Sequence, residues 1–225
     1  VKKGQILDIE ISDMAFGGRG FAKHDELAIF VEEAVPHDRA MVRIVKKKKN
    51  YAEAKIIELL HPSPLRVDPP CPYTGFCGGC TWQFLNYDSQ LYYKHQHVIE
   101  TLEHIALIRD IRVNPTIASE KVFGYRNKME FSCSDRKWLM PHELGETLPA
   151  DNNFAMGLHV PGTFHKVLDI HACLLQPELG NRILEDAKAY MKSSGLPAYG
   201  LKTHQGFWRF LMLRSSAEYR HWMVN

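Results

Sequence analysis

No apolar run in this chain approaches the roughly 18 residues that cross a membrane. The N-terminus, Val1-Lys2-Lys3-Gly4, lacks the apolar core of a signal peptide. A cytoplasmic location is therefore expected. Charge of one sign is also lacking: 28 Lys and Arg stand against 26 Asp and Glu, a net of +2, so the case for a nucleic-acid partner has to come from local charge. There is no internal repeat, and the one low-complexity tract is Lys46-Lys47-Lys48-Lys49. No Gly-x-Gly loop follows a strand-like run, so nothing here reads as a Rossmann cofactor site. No catalytic and no organic-cofactor residue is assigned.

What is present is ordinary in bulk. The 225 residues are 45% hydrophobic and 24% charged, enough to bury a core in one or two domains. The first 60 or so residues read as short strands. Ile6, Leu7, Ile9 and Ile11 suit the first strand, and Leu27 to Val31 form a more continuously apolar second. Ala40, Val42 and Ile44, then Ala52, Ala54 and Ile56, alternate with polar or larger residues at period 2. Phe16-Gly17-Gly18-Arg19-Gly20-Phe21 lies between the first two strands, its glycines suited to a tight turn. Such a stretch predicts a small all-β barrel of the OB type over residues 1–62. Four prolines between His61 and Pro70 then mark a domain boundary.

Beyond the boundary the pattern is mixed α+β. A helix is expected over residues 86–108, capped by Asn86 or Asp88, with Leu91, Val98, Leu102 and Ile105 along an apolar face. From Phe123 alternation returns, with Tyr125, Met129, Phe131 and Cys133 on one side of a strand and Arg126, Lys128, Glu130 and Ser132 on the other. Residues 154–159 and 164–170 flank Pro161-Gly162-Thr163 as a hairpin. A second helix begins near Pro177, burying Leu179, Ile183, Ala187, Tyr190 and Met191, and stops before Gly195. Strands at 208–213 and 222–225 close the chain.

Five cysteines are an odd number, and three of them, Cys71, Cys77 and Cys80, fall within ten residues. Without a secretion signal, clustered thiols read as a metal site rather than disulfides. Gly78 and Gly79 let the backbone wrap between the last two. Thiolates suit zinc or iron-sulfur, each wanting four ligands. The fourth is Cys133 or Cys173. Cys133 sits on the apolar side of a strand, where a thiol is often a small buried hydrophobe; Cys173 lies in a loop, and the reading favours it. Zinc ribbons use two short pairs, whereas three local ligands and one remote tip the reading toward a 4Fe-4S cluster. The radical-SAM spacing Cys-x3-Cys-x2-Cys is absent.

On these residues the chain resembles the front half of an RNA (uracil-5-)-methyltransferase of the 23S rRNA-modifying type. The glycine loop and the Phe30-Val31 strand resemble a TRAM domain, an RNA-binding OB-like barrel. Cys71-x5-Cys77-Gly78-Gly79-Cys80-x2-Gln83 matches that family's cluster motif. Phe123-Gly124-Tyr125-Arg126-Asn127-Lys128 resembles the strand opening its central domain, and Val167 to Cys173 the segment giving the fourth ligand. The resemblance implies a TRAM barrel, then a central iron-sulfur domain of residues 71–84 and 117–225. Residues 85–116 would be a crossover packing on a catalytic domain of the same polypeptide. It also implies that S-adenosylmethionine and the nucleophilic cysteine that attacks C6 of uracil belong to a domain missing here, leaving this chain inactive alone. Without that domain, the 86–108 helix would self-associate or be poorly ordered.

RNA contacts are expected from two regions. Residues 39–55 carry seven basic residues and one acidic, including Lys46, Lys47, Lys48 and Lys49 ahead of Tyr51, a residue able to stack on a base. Phe16, Arg19 and Phe21 border the same surface, and Arg126 and Lys128 project from one strand face toward phosphate. The competing readings are a solvated lysine turn, aromatics at the barrel rim, and a surface ion pair of Lys128 with Glu130. Other function classes are a free-standing metal-containing RNA-binding module and a tRNA uracil-5-methyltransferase fragment.

Overall fold

The computed structural model describes residues 1–144 and 154–225. The chain divides into two compact units, one of residues 1–70 and 81–119, the other of residues 71–80 and 120–225.

In the first unit six strands form one sheet: β1 (Ile6–Glu10), β2 (Asp13–Ala15), β3 (Arg19–His24), β4 (Leu27–Glu32), β5 (Arg39–Lys47) and β6 (Tyr51–His61). Their order is β1-β5-β6-β4-β3-β2, antiparallel throughout except for the parallel β4–β6 pair. The sheet curls on itself as a half-barrel with β1 and β2 at its ends, where the sequence predicts a small barrel. Period-2 alternation explains its core. Leu7, Ile9, Ile29, Val31, Ala40, Val42, Ile44, Ala52 and Ala54 all face inward. The small side chains of Ala40, Ala52 and Ala54, with Ala22 beside them, let the strands curl tightly. Gly20 belongs to the same logic, since a Cβ there would press on Ala34 and Ile11 at 2.7 and 2.9 Å.

Helix α1 (Tyr87–Glu100) lies in this unit and runs on as one π-type turn, Thr101–Ile105. Asn86 caps it, its side chain accepting from Ser89 N–H at 2.8 Å. The expected apolar face is not the buried one. Val98 is half-exposed and Ile105 is 78% exposed, whereas Tyr93 and His97, one turn apart, are buried. Tyr93 packs with Met14, Val35, Phe84 and Leu85, and His97 Nε2 donates to the Met14 carbonyl at 2.7 Å. The physical reason is that His97 buries its ring with its tip on the Met14 carbonyl, and Tyr93 follows by packing its ring in the same cluster.

The second unit carries an antiparallel sheet, in the order β10-β9-β7-β8, of β7 (Lys128–Ser134), β8 (Ala155–Gly157), β9 (Phe210–Ser216) and β10 (His221–Val224). Met129, Phe131 and Cys133 point into its core as the alternation predicts, but Tyr125 is exposed. The expected 154–170 hairpin is present as an irregular antiparallel pairing: β8 leads into a His159–Val167 bridge, with Val160 N–H on Lys166 C=O and Leu168 N–H on Leu158 C=O. Helix α2 (Glu178–Ser193) buries Asn181, Leu184, Lys188 and Met191 rather than Leu179 and Tyr190, which are exposed. Its inward face is thus turned from the one hydrophobicity suggests, and two of the buried side chains are polar.

Candidate metal centre and nucleic-acid interface

The cysteine loop is built by its own turns. Tyr73 C=O accepts from the N–H groups of Phe76 and Cys77, and Gly75 takes a positive φ between them. Gly78 N–H donates to His159 C=O at 2.9 Å, and a Cβ on Gly78 would come within 3.0 Å of that oxygen. Gly79 N–H points at Cys77 Sγ, 3.4 Å away. Cys71, Cys77 and Cys80 are half-buried against the core of this unit, and Cys173 is buried beside them.

The thiols of Cys71, Cys77, Cys80 and Cys173 lie within electrostatic reach of one another. Burial pushes Cys77 up to about 11, helped by Cys80, Cys173 and Cys71 and opposed by the Gly79 N–H. Cys173 is raised by burial first, then by Cys80 and Cys71, while the Leu175 N–H and the Arg126 guanidinium oppose. Cys133 stands apart. Burial alone pushes it up to about 12, and its thiol faces Met191 Sδ at 3.9 Å. Among the described residues no three His, Cys, Asp or Glu side chains form a ready metal-ion group. The structure thus does not show the expected iron-sulfur cluster, which rests on the sequence spacing of the thiols.

The basic hairpin is more heavily paired than its sequence implies. Lys46 Nζ lies 2.8 Å from Glu53 Oε1, and Arg19 reaches the same oxygen at 3.7 Å. The Lys46 hydrogen bond, ahead of the Arg19 charge, holds Glu53 below its usual value despite some desolvation. Lys47 Nζ turns back onto the carbonyls of Lys48 and Lys49. Lys48 and Lys49 remain exposed at the turn between β5 and β6. Tyr51 belongs to a row of rings of which the sequence reading picks out only the two ends. Phe21, Phe30 and Tyr51 on β3, β4 and β6 follow one another at centroid spacings of 5.9 Å. Alternation carries the missing signal, because Phe30 sits between buried Ile29 and Val31 and must face outward with Phe21.

Phe16 is 84% exposed at the tip of the glycine loop, 5.7 Å from the His97 ring. Gly17 and Gly18 have φ of +91° and +86°, and a Cβ on Gly18 would run into the Trp82 indole. In the second unit Lys128 pairs with Glu130 at 3.7 Å, the ion pair that competes with a phosphate role. Arg126 is half-buried, its N–H donating to Leu175 C=O at 2.8 Å and its charge acting on Cys173. It thus also flanks the thiol site.

Residues 1–57 match the TRAM domain family. The likeness extends over the whole chain. It is 41% identical over 227 residues to an uncharacterized RNA methyltransferase of Chlorobaculum tepidum, covering 100% of this chain and 47% of that protein. It is 38% identical over 204 residues to an uncharacterized RNA methyltransferase of Bacteroides thetaiotaomicron, covering 91% and 45%. Among solved structures it resembles the Pyrococcus abyssi tRNA (uracil-54, C5)-methyltransferase in complex with S-adenosyl-L-homocysteine. There the TM-score is 0.64 at 26% identity, over 97% of this chain and 45% of that one. The chain spans about half the length of the relatives it matches. Among the described residues no helix is long and apolar enough to cross a membrane.

Proposed function

We propose that this chain is the RNA-recognition portion of an S-adenosylmethionine-dependent RNA (uracil-5-)-methyltransferase acting on 23S rRNA in the cytoplasm. Cys71, Cys77, Cys80 and Cys173 would hold a 4Fe-4S cluster as a structural brace. The observation that carries the reading is the chain-long likeness to RNA methyltransferases, of which the P. abyssi structure is a uracil-C5 enzyme. The four thiols fit the cluster in donor chemistry, with four soft sulfurs, an N–H aimed at one of them and two glycines admitting the wrap. The exposed Lys48 and Lys49, with Phe16, Arg19, Tyr51 and Arg126, are assigned to RNA.

A tRNA substrate is the second reading, favoured by the P. abyssi enzyme's own substrate. The whole enzyme should be offered labelled S-adenosylmethionine with 23S rRNA and tRNA transcripts, and the products digested for 5-methyluridine. Label in rRNA supports the first reading, label in tRNA the second, and 5-methyluridine in neither overturns both. Anaerobically prepared chain should carry about four irons and lose them on Cys71→Ala or Cys173→Ala. Zinc without iron would overturn the cluster, and loss on Cys133→Ala but not on Cys173→Ala would overturn the choice of fourth ligand.

A further inference from the structure

Three of the four thiols share one short loop, but Cys173 comes from a segment far along the chain. Something must set its position. Residues 169–176 have no regular structure, yet their polar groups are gripped by buried side chains. Asn181 Oδ1 accepts the Cys173 N–H at 2.9 Å and the Gln176 side-chain amide at 2.7 Å. Lys188 Nζ donates to Ile170 C=O at 2.6 Å and pairs with Asp169 at 3.2 Å, while Asp169 accepts from Met156 N–H. Asn181 and Lys188 are two turns of α2 apart, so one helix face holds both ends of the loop. Between them, Tyr73 OH accepts the His171 N–H at 3.0 Å. Tyr73 is also the residue whose carbonyl orders the turn to Cys77. It therefore ties the three-thiol loop to the fourth thiol.

The burial argues that this is more than incidental packing. Tyr73, Asn181 and Lys188 are 8%, 7% and 5% exposed. A lysine that deep is costly unless charge and hydrogen bonds are matched. Glu185 on the same helix matches part of that charge at 3.3 Å, and the rest comes from the loop, through Asp169 and Ile170 C=O. We infer that Tyr73, Asn181 and Lys188 are positioning residues that hold Cys173 facing the other three thiols before any metal arrives. The metal part of this inference rests on the cluster reading above; the preformed loop does not.

The test has two arms. In metal-free chain, hydrogen exchange should show the His171 and Cys173 amides protected, with Asn181→Leu freeing Cys173 and Tyr73→Phe freeing His171. In chain reconstituted with iron and sulfide, both variants should lose iron to a chelator about 10–100-fold faster than the wild type. Asn181→Asp, which keeps the acceptor, should restore the slow rate. Leu184→Ala, a core truncation on the same helix, controls for stability: it should lower the melting temperature without speeding iron loss. Unprotected amides in the wild type would overturn the inference whatever the metal content. So would variants that keep iron as the wild type does, or iron loss that follows melting temperature across all the variants. A wild-type chain that takes up no iron, with both amides protected, would sink the cluster reading and leave the preformed loop standing.

Discussion

Asp38 is the side chain whose loss should hurt the first unit most. It has no exposed surface, and its carboxylate gathers donors from three other residues. Val35 N–H donates at 2.7 Å, Ser63 N–H at 2.9 Å, and the Arg66 guanidinium approaches both oxygens. Ser63 and Arg66 lie on the segment that follows β6, so the carboxylate fastens that segment to the sheet. Asp38→Ala leaves two buried N–H groups without acceptors, at about 1–3 kcal/mol each. It also takes the counter-charge from a guanidinium whose side chain is only 20% exposed, leaving it the Glu33 carbonyl at 2.8 Å. Breaking a fully buried pair costs about 3–5 kcal/mol. Water reaching Arg66 removes most of that second cost, so the two N–H groups set the scale and about 3–5 kcal/mol is expected in all. Against a typical stability of about 5–15 kcal/mol that is a large share. Urea unfolding followed by circular dichroism would measure it, and hydrogen exchange would localise the loss to the first unit, residues 1–70 and 81–119. A cost below about 1 kcal/mol, or weaker protection in the second unit, would refute the reasoning.

Cys133, pushed up to about 12 by burial against an ordinary value near 9, stays protonated in the fold while the unfolded thiol ionises. Its stabilising contribution is complete below about pH 9 and falls to nothing by about pH 12, a decline of roughly 4 kcal/mol that should vanish from the alkaline stability profile of Cys133→Ala. Lys48→Gln with Lys49→Gln should weaken RNA binding and flatten its salt slope by about 0.7 for each phosphate no longer neutralised. Lys46→Gln alone should do less, since Glu53 already engages that lysine, and equal effects would return the run to a solvated turn. Exposed Val98 and Ile105 on α1 and its π-type extension should drive weak self-association. Light scattering on Val98→Ser with Ile105→Ser should then show a lower apparent mass than the wild type, and equal masses would dismiss the patch.

The β half of the first unit was legible because its strands bury by hydrophobicity alone. Ala40, Val42, Ile44, Ala52 and Ala54 face inward just where alternation puts them. The three-thiol loop was legible too, since closeness along the chain is closeness in space over so few residues. The departures fall elsewhere and have one cause. On α1 the apolar Val98 marks one face, yet the buried face carries Tyr93 and His97. On α2 Leu179 and Tyr190 mark a face, yet Asn181 and Lys188 lie inside. In the hairpin Lys46 reads as a free cation, yet Glu53 on the neighbouring strand closes on it.

Tyr93 apart, each of these side chains is placed by a polar partner rather than by its own dislike of water, and no hydropathy pattern records where a partner will stand. Met14 C=O waits for His97, Ile170 C=O for Lys188, and the Cys173 N–H for Asn181. Buried polar groups are costly when unmatched, so they persist where a fixed geometry is needed. In the second unit that place is the loop bearing Cys173. The part of α2 that the sequence pattern hid is thus the part that grips the candidate metal centre. A search for such centres in related chains would do well to begin with helix positions where an asparagine and a lysine two turns apart interrupt an otherwise apolar face.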